Sequence, residues 1–173
     1  MTTLYQPTHL KNEIVVLEPL KESDVELLYE VASDPLIWEQ HPNPDRYKPD
    51  VFLNYFRGAM ESKGAFLIMD AATGKAIGSS RFYDHDPEKK EIKIGYTFFS
   101  RTCWGKSINQ HVKGLMIAHA LSFVDNIIFH VGASNIRSQI AMERLGAVKI
   151  ATEEVAYFGE ASRLNHVYQI SKP

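Results

Sequence analysis

The sequence predicts a mixed α/β (α+β) fold built on a twisted, mostly antiparallel sheet with one parallel strand-helix-strand crossover. Three observations predict it. Residues 65–99 read as three strands joined by short Gly/Pro/Asp turns, which makes them antiparallel neighbours. From Ser107 the apolar period changes to that of a helix, and the short apolar run Asn126–Gly132 follows it. The unit from Glu91 to Gly132 is therefore expected to be a right-handed parallel crossover.

The elements follow in order. Ile14–Leu17 is a short apolar strand, and Ser23-x-x-Glu26 is a capping box opening a helix that runs to about Ser33. Asp34 to Pro49 holds four prolines (Pro35, Pro42, Pro44, Pro49) and is long enough to be a functional loop. Asp50–Ser62 is a helix with Val51, Phe52, Tyr55, Phe56 and Ala59 at helical spacing, ended by Gly64. Ala65–Met69, Ala76–Tyr83 and Glu91–Phe99 are the three strands. In the last, Ile92, Ile94, Tyr96 and Phe98 alternate with Glu91, Lys93, Gly95 and Thr97 and are expected to share one face. Ser107–Val124 is a helix with Ile108, Val112, Leu115, Met116 and Ala120 on one stripe. After the strand Asn126–Gly132, Ile136–Leu145 is a helix stopped by Gly146, and Ala147–Phe158 and Arg163–Ser171 are closing strands.

Composition bounds the function. The chain has 173 residues, 45% hydrophobic and 23% charged, which suits one domain, 1–173, with a real core. Lys+Arg number 19 and Asp+Glu 21, a near-balance that argues against a nucleic-acid partner. One cysteine, Cys103, rules out an internal disulfide and favours a reducing compartment. The first residues, MTTLYQPTHLKNE, lack the apolar core of a signal peptide, and no run approaches the ~18 apolar residues of a membrane span. The expectation is a soluble, cytoplasmic protein with no membrane partner. Exposed sheet edges make a homodimer plausible.

The most informative stretch is Phe98-Phe99-Ser100-Arg101-Thr102-Cys103-Trp104-Gly105-Lys106-Ser107-Ile108-Asn109. It joins a strand's C-terminal end to a helix N-terminus, where unpaired N–H groups and the helix dipole favour an anion such as phosphate. Gly105 permits close backbone approach and Lys106 adds charge. Ser107-x-x-Gln110 also reads as a capping box, which competes for the same N–H groups. Gly105-Lys106-Ser107 ends like a P-loop, but position 100 is Ser rather than the required Gly, which argues against a nucleotide triphosphatase. A second constellation is Asn135-Ile136-Arg137-Ser138-Gln139 through Leu145-Gly146-Ala147, with Asn135 as N-cap and Gly146 past the helix end.

Together with Leu17-Glu18-Pro19-Leu20, Asp24, Gly78-Ser79-Ser80-Arg81, Ile94-Gly95-Tyr96-Thr97-Phe98-Phe99 and Asn165-x-Val167-Tyr168, these motifs resemble the GNAT superfamily of acyl-CoA-dependent N-acyltransferases. The likeness is to the RimJ/RimL-like branch that acetylates ribosomal-protein N-termini, and it spans nearly the whole chain. It implies helices on both faces of the sheet and acetyl-CoA (coenzyme A) as cofactor. The family's phosphate loop, [QR]-x-x-G-x-[GA], falls on Thr102-x-x-Gly105-x-Ser107, departing at both ends, with Arg101 one residue out of register. Residues 98–109 with Asn135 and Arg137 are thus the expected cofactor site. Phe98, Phe99 and Ser100 would pair with the pantetheine arm like an added strand, and Asn135 would hydrogen-bond it.

The chemistry implied needs few groups. An amine must lose a proton before it attacks a thioester. Backbone N–H groups near the splayed strand can stabilise the oxyanion, and a hydroxyl can protonate the leaving thiolate. Ser138 matches the branch's acid by position, and equally reads as an early-helix serine that satisfies backbone. Where related sequences carry Glu before Ile-Gly-Tyr, this chain has Lys93. Glu91, on the same strand face, is the candidate base, against a solvated strand-start charge; Glu39, Asp84 and Tyr157 are further candidates. Trp38, Tyr47 and Tyr83 are candidate acceptor-pocket residues. Cys103 carries no nucleophile motif, and Asp84-His85-Asp86 is read as a polar turn rather than a metal site. The resemblance implies transfer of an acetyl group to a primary amine, either a protein N-terminus or a small molecule. A non-catalytic acyl-CoA-binding sensor or interaction module on the same fold is the alternative, favoured by Lys93.

Overall fold

A computed structural model describes residues 9–41, 43–156 and 160–173. The strands are β1 (Leu10–Lys11), β2 (Val15–Pro19), β3 (Ala65–Asp70), β4 (Ala76–Asp86), β5 (Glu91–Phe99), β6 (Asn126–Gly132), β7 (Val148–Ala156) and β8 (Ser162–Ser171). The helices are α1 (Val25–Ala32), α2 (Pro49–Ser62), α3 (Ile108–Ala120) and α4 (Ile136–Arg144). All eight strands join one sheet in the order β1-β2-β3-β4-β5-β6-β8-β7. Every neighbouring pair is antiparallel except β5 and β6, which are joined through α3 as the crossover.

Helices cover both faces. Alternation along β3 sends Phe66 and Ile68 to one core and Ala65 and Leu67 to the other. The first core is closed by Val112, Met116 and Ala120 of α3 with Met142 of α4. The second is closed by Leu28 and Ala32 of α1 with Phe52, Tyr55, Phe56 and Ala59 of α2. Gly78 sits where β4 crosses β5: a Cβ there would lie 2.1 Å from the Phe98 carbonyl oxygen, so only glycine lets the two backbones meet.

Several local expectations are corrected. Ser23 is not the cap of α1; the Lys21 N–H donates to Asp24 Oδ2 (2.9 Å), closing a single 3₁₀ turn at Glu22–Asp24 before the helix starts. The left-handed residue that ends α2 is Lys63 (φ 55°), not Gly64. α3 stops at Ala120 rather than Val124, where the Ser122 hydroxyl donates to the His119 carbonyl (2.6 Å). The end of the expected strand at 157–158 lies outside the described residues.

The largest departure is in β5. Gly95 pairs with Arg81 and Phe98 with Ser79, so β5 carries one residue more than β4 between these positions. This is a β-bulge, and Tyr96 within it adopts φ 55°. The bulge breaks the alternation. Ile92 and Ile94 face the first core, whereas Tyr96 and Phe98 face the second. The Tyr55 hydroxyl of α2 donates to the Tyr96 carbonyl and pins the bulge.

Candidate functional site

The parallel pairing of β5 and β6 is brief. It covers Glu91↔Asn126, Ile92↔Ile127 and Lys93↔Ile128, and then the strands part. Beyond that point, among the described residues, β6 pairs only with β8, and the facing edge of β5 has no strand partner. The result is a cleft of about 530 Å³, bounded by Ile94–Phe99, by Phe129–Gly132 and by the first turns of α3 and α4. Tyr96 and Thr97 fall in the bulge, where two residues of β5 stand against Ser80 on β4.

The cleft's mouth is the turn between β5 and α3. Arg101–Cys103 forms one 3₁₀ turn, and Gly105 (φ 78°) and Ser107 (φ 62°) are both left-handed. Ser107 makes no capping bond through its side chain, so the expected capping box is absent. The N–H groups of Gly105, Ser107, Ile108 and Asn109 consequently meet no acceptor among the described residues. Cys103 is buried, which pushes its thiol up from the ordinary value and makes it a poor nucleophile.

Across the cleft, Asn135 caps α4, its Oδ1 accepting from the Ser138 N–H (3.3 Å). The Ser138 hydroxyl faces the cleft without a partner among the described residues. Arg137 bridges the mouth: its guanidinium lies 3.7 Å from the Trp104 ring centroid and donates to the Ile37 carbonyl (3.2 Å). The backbone of Arg137 donates to Gln40 Oε1 (3.3 Å), and Arg101 pairs with Asp34. The Pro-rich segment thus lies over the site as a strap, tied at both sides.

The strap also builds the inner end. Arg46, 1% exposed, is held by both carboxylate oxygens of Glu160 (2.8 and 2.6 Å) and lies 5.2–5.6 Å from the rings of Trp38, Tyr55 and Tyr96. His41 receives the Asn43 N–H on Nδ1 (3.1 Å) and lies 3.1 Å from Arg46 Nη1 through Nε2. Burial, reinforced by the Arg46 and Arg137 charges, holds His41 well below the usual imidazole range, so it is neutral.

The charge pattern of the lining is one-sided. Arg46, Lys113, Arg137 and Arg144 line it, and no carboxylate does among the described residues. Lys113, on α3, is 3% exposed; its Nζ donates to Thr97 Oγ1 and to Asn109 Oδ1, both at 3.0 Å. Desolvation lowers it from its ordinary value to about 7.

The expected site residues divide. Phe98, Phe99, Cys103, Trp104, Gly105, Ser107, Ile108, Asn109, Asn135, Arg137, Ser138 and Trp38 come together around the cleft. Ser100, Arg101, Thr102 and Lys106 belong to the mouth turn but do not line the cavity. Glu91 is displaced from the expected place: it pairs with Asn126 at the closed end of the two strands, where they are hydrogen-bonded rather than parted. Asp84 is likewise remote, paired with Lys93 (3.1 Å), and Glu39 does not line the cleft. Tyr157 lies outside the described residues. Tyr83 packs against Gly95 and Tyr96 behind the bulge, and the Tyr47 carbonyl accepts from Tyr29 (2.7 Å); neither ring lines the cleft. The sequence reading missed Gln40, His41, Arg46 and Lys113. Only Lys113 left a signal: at i+4 from Asn109 and i−3 from Met116, it stands on the buried stripe rather than the solvent face.

Comparison with known proteins agrees with this architecture. The chain matches the family model described as the acetyltransferase (GNAT) domain over residues 15–148, and it belongs to that family. It is an acetyltransferase of the GNAT type on that ground, and the solved structures share its fold. A GCN5-related N-acetyltransferase from Brucella melitensis superposes with a TM-score of 0.80 at 17% identity, covering 94% of this chain and 78% of that one. A GNAT-family acetyltransferase from Bacillus anthracis gives 0.71 at 16% identity, covering 94% and 98%. Spermidine N-acetyltransferase from Vibrio cholerae, in complex with CoA and spermine, gives 0.70 at 13% identity, covering 92% and 96%. At these identities the likeness is one of fold. No curated protein matches the chain.

Proposed function

We propose that the protein transfers an acetyl group from acetyl-CoA to a primary amine, either a protein N-terminus as in the RimJ/RimL-like branch or a small-molecule amine. The observation that carries this reading is the parted β5–β6 cleft. It offers an edge of β5 that no described strand covers and four N–H groups at its mouth with no acceptor among the described residues, and its described lining is cationic with no carboxylate. A diphosphate-bearing, extended ligand fits each feature. The N–H groups of Gly105, Ser107, Ile108 and Asn109, with Lys106 nearby, suit the diphosphate. The edge of Phe98–Ser100 suits the amide-bearing pantetheine arm, and Asn135 stands opposite it. Acetyl-CoA supplies an activated acyl carbon.

The residues then divide the remaining work. The bulge at Tyr96–Thr97 lies beside the cleft, and backbone of β5 there would stabilise a developing oxyanion. The strap, with Trp38, Arg46 and His41, covers the inner end and shapes the acceptor pocket. Because no carboxylate lines the described cleft, Glu91 is not assigned as base. The acceptor reacts as the neutral amine and sheds its proton to water. The test is release of free CoA thiol from acetyl-CoA against two acceptor sets, peptides with free N-termini and polyamines. Mass spectrometry should show a gain of one acetyl group on one set. Binding of acetyl-CoA with no acceptor in either set would favour the sensor reading instead.

A further inference from the structure

Lys113 has no role in the reading above, yet it is the buried ammonium of the cleft. It extends from α3 towards β5, and both its partners, Thr97 and Asn109, are neutral oxygens. Thr97 is in turn hydrogen-bonded to Ser80 of β4 (2.8 Å), so the acceptor side of this small network is complete. An ammonium has three hydrogens, and only two are engaged by the described residues. No carboxylate among the described residues pairs with it. The titratable and charged groups around the same cleft are Tyr96 on β5, His130 on β6, Arg137 and Arg144 on α4, Cys103 in the mouth turn, and His41 and Arg46 in the strap. None of them is hydrogen-bonded to Lys113.

A buried cation facing a cleft without a counter-charge is costly unless a ligand supplies what is missing. Thr97 lies in the bulge, one residue beyond Tyr96, which is where the proposed reaction takes place. We infer that Lys113 is the proton donor of the acetyl transfer, giving its third hydrogen to the coenzyme sulfur as that sulfur departs. This rests on the acetyl-CoA reading and deepens it. The balance is simple. The amine nitrogen bonds to the acyl carbon, the C–S bond breaks with its electron pair on sulfur, and sulfur takes the Lys113 proton to become the free thiol. Lys113, left as a neutral amine, regains a proton from water, and the acceptor's proton has gone to water. An acid that ionises near the working pH is the effective kind, and at about 7 Lys113 is poised there. The Ser138 hydroxyl, the expected acid, does not ionise in that range.

The test reads a pH profile rather than turnover alone. The rate at saturating acetyl-CoA and acceptor is followed against pH in the wild type, Lys113→Met and Lys113→Arg, with each Kd for CoA measured in parallel. The rate rises with pH as the acceptor amine loses its proton, and in the wild type that rise should stop at about 7, where Lys113 loses its own. Lys113→Met and Lys113→Arg should bind CoA, turn over about 10²-fold more slowly near neutral pH, and keep rising with pH beyond 7, because neither side chain yields a proton. Normal CoA binding with the same rate and the same pH profile in wild type and Lys113→Met overturns the inference alone. Failure of wild type to bind CoA overturns the cofactor reading and this inference with it.

Discussion

Replacing Lys113 by Met should change the sign of a stability difference as pH rises. In the folded protein desolvation lowers Lys113 to about 7, against an ordinary 10.5. Between those values the unfolded chain binds more protons than the folded one, so this group makes wild-type stability increase with pH. Below pH 7 the buried ammonium costs roughly 5 kcal/mol relative to a lysine left in water, and above 10.5 it costs nothing. The Met side chain never pays that term. It does lose the bonds to Thr97 and Asn109, worth about 1 kcal/mol each. Lys113→Met should therefore be more stable than wild type at pH 6, by about 2–3 kcal/mol, and less stable at pH 10, by about 1–2 kcal/mol. Urea unfolding of both proteins at several pH values measures this directly, because every other titrating group cancels in the difference. A gap that stays constant with pH would refute the argument that Lys113 is buried as an uncompensated charge.

Other perturbations test other parts of the account. Gly78→Ala should cost several kcal/mol, more than ~3 in urea unfolding, because the added methyl meets the Phe98 carbonyl at 2.1 Å and the β4–β5 pairing must open. Arg46→Ala should cost about 3–5 kcal/mol by leaving Glu160 buried and unpaired, and adding Glu160→Gln should recover part of that loss in a double-mutant cycle. Glu91→Gln should leave acetyl transfer within about 2-fold of wild type, since a residue at the closed end of the strand pair is outside the site; a loss of 10²-fold would restore it as the base.

Much of this architecture is legible in the chain because local signals and tertiary demands agree. The strand Asn126–Gly132 is read with its observed bounds, since an apolar run between an acidic turn and a glycine has few other uses. Gly146 past α4 takes the left-handed backbone (φ 80°) that its position suggests. The failures are places where tertiary structure overrides the local pattern. The alternation of Ile92, Ile94, Tyr96 and Phe98 breaks because a bulge re-aims the last two, and a bulge has no fixed composition. Ser107 looks like a cap but adopts φ 62°, which leaves the N–H groups of α3 open. Glu91 is on the strand face expected, yet the point where β5 and β6 part lies beyond Lys93, and no pattern within one strand marks where its neighbour leaves it. The strap residues Arg46 and Gln40 reach the cleft through contacts with Glu160 and α4 that are remote in sequence.

Whether the parted strands hold acetyl-CoA is read from the melting temperature with and without acetyl-CoA, with ATP as control ligand. At 100-fold excess over Kd a specific ligand adds about 2.7 kcal/mol, which for a chain of this length is a rise of roughly 5–10 °C. That rise is expected with acetyl-CoA, and none of that size with ATP. No rise over a wide range of acetyl-CoA concentrations, or an equal rise with ATP, would contradict it.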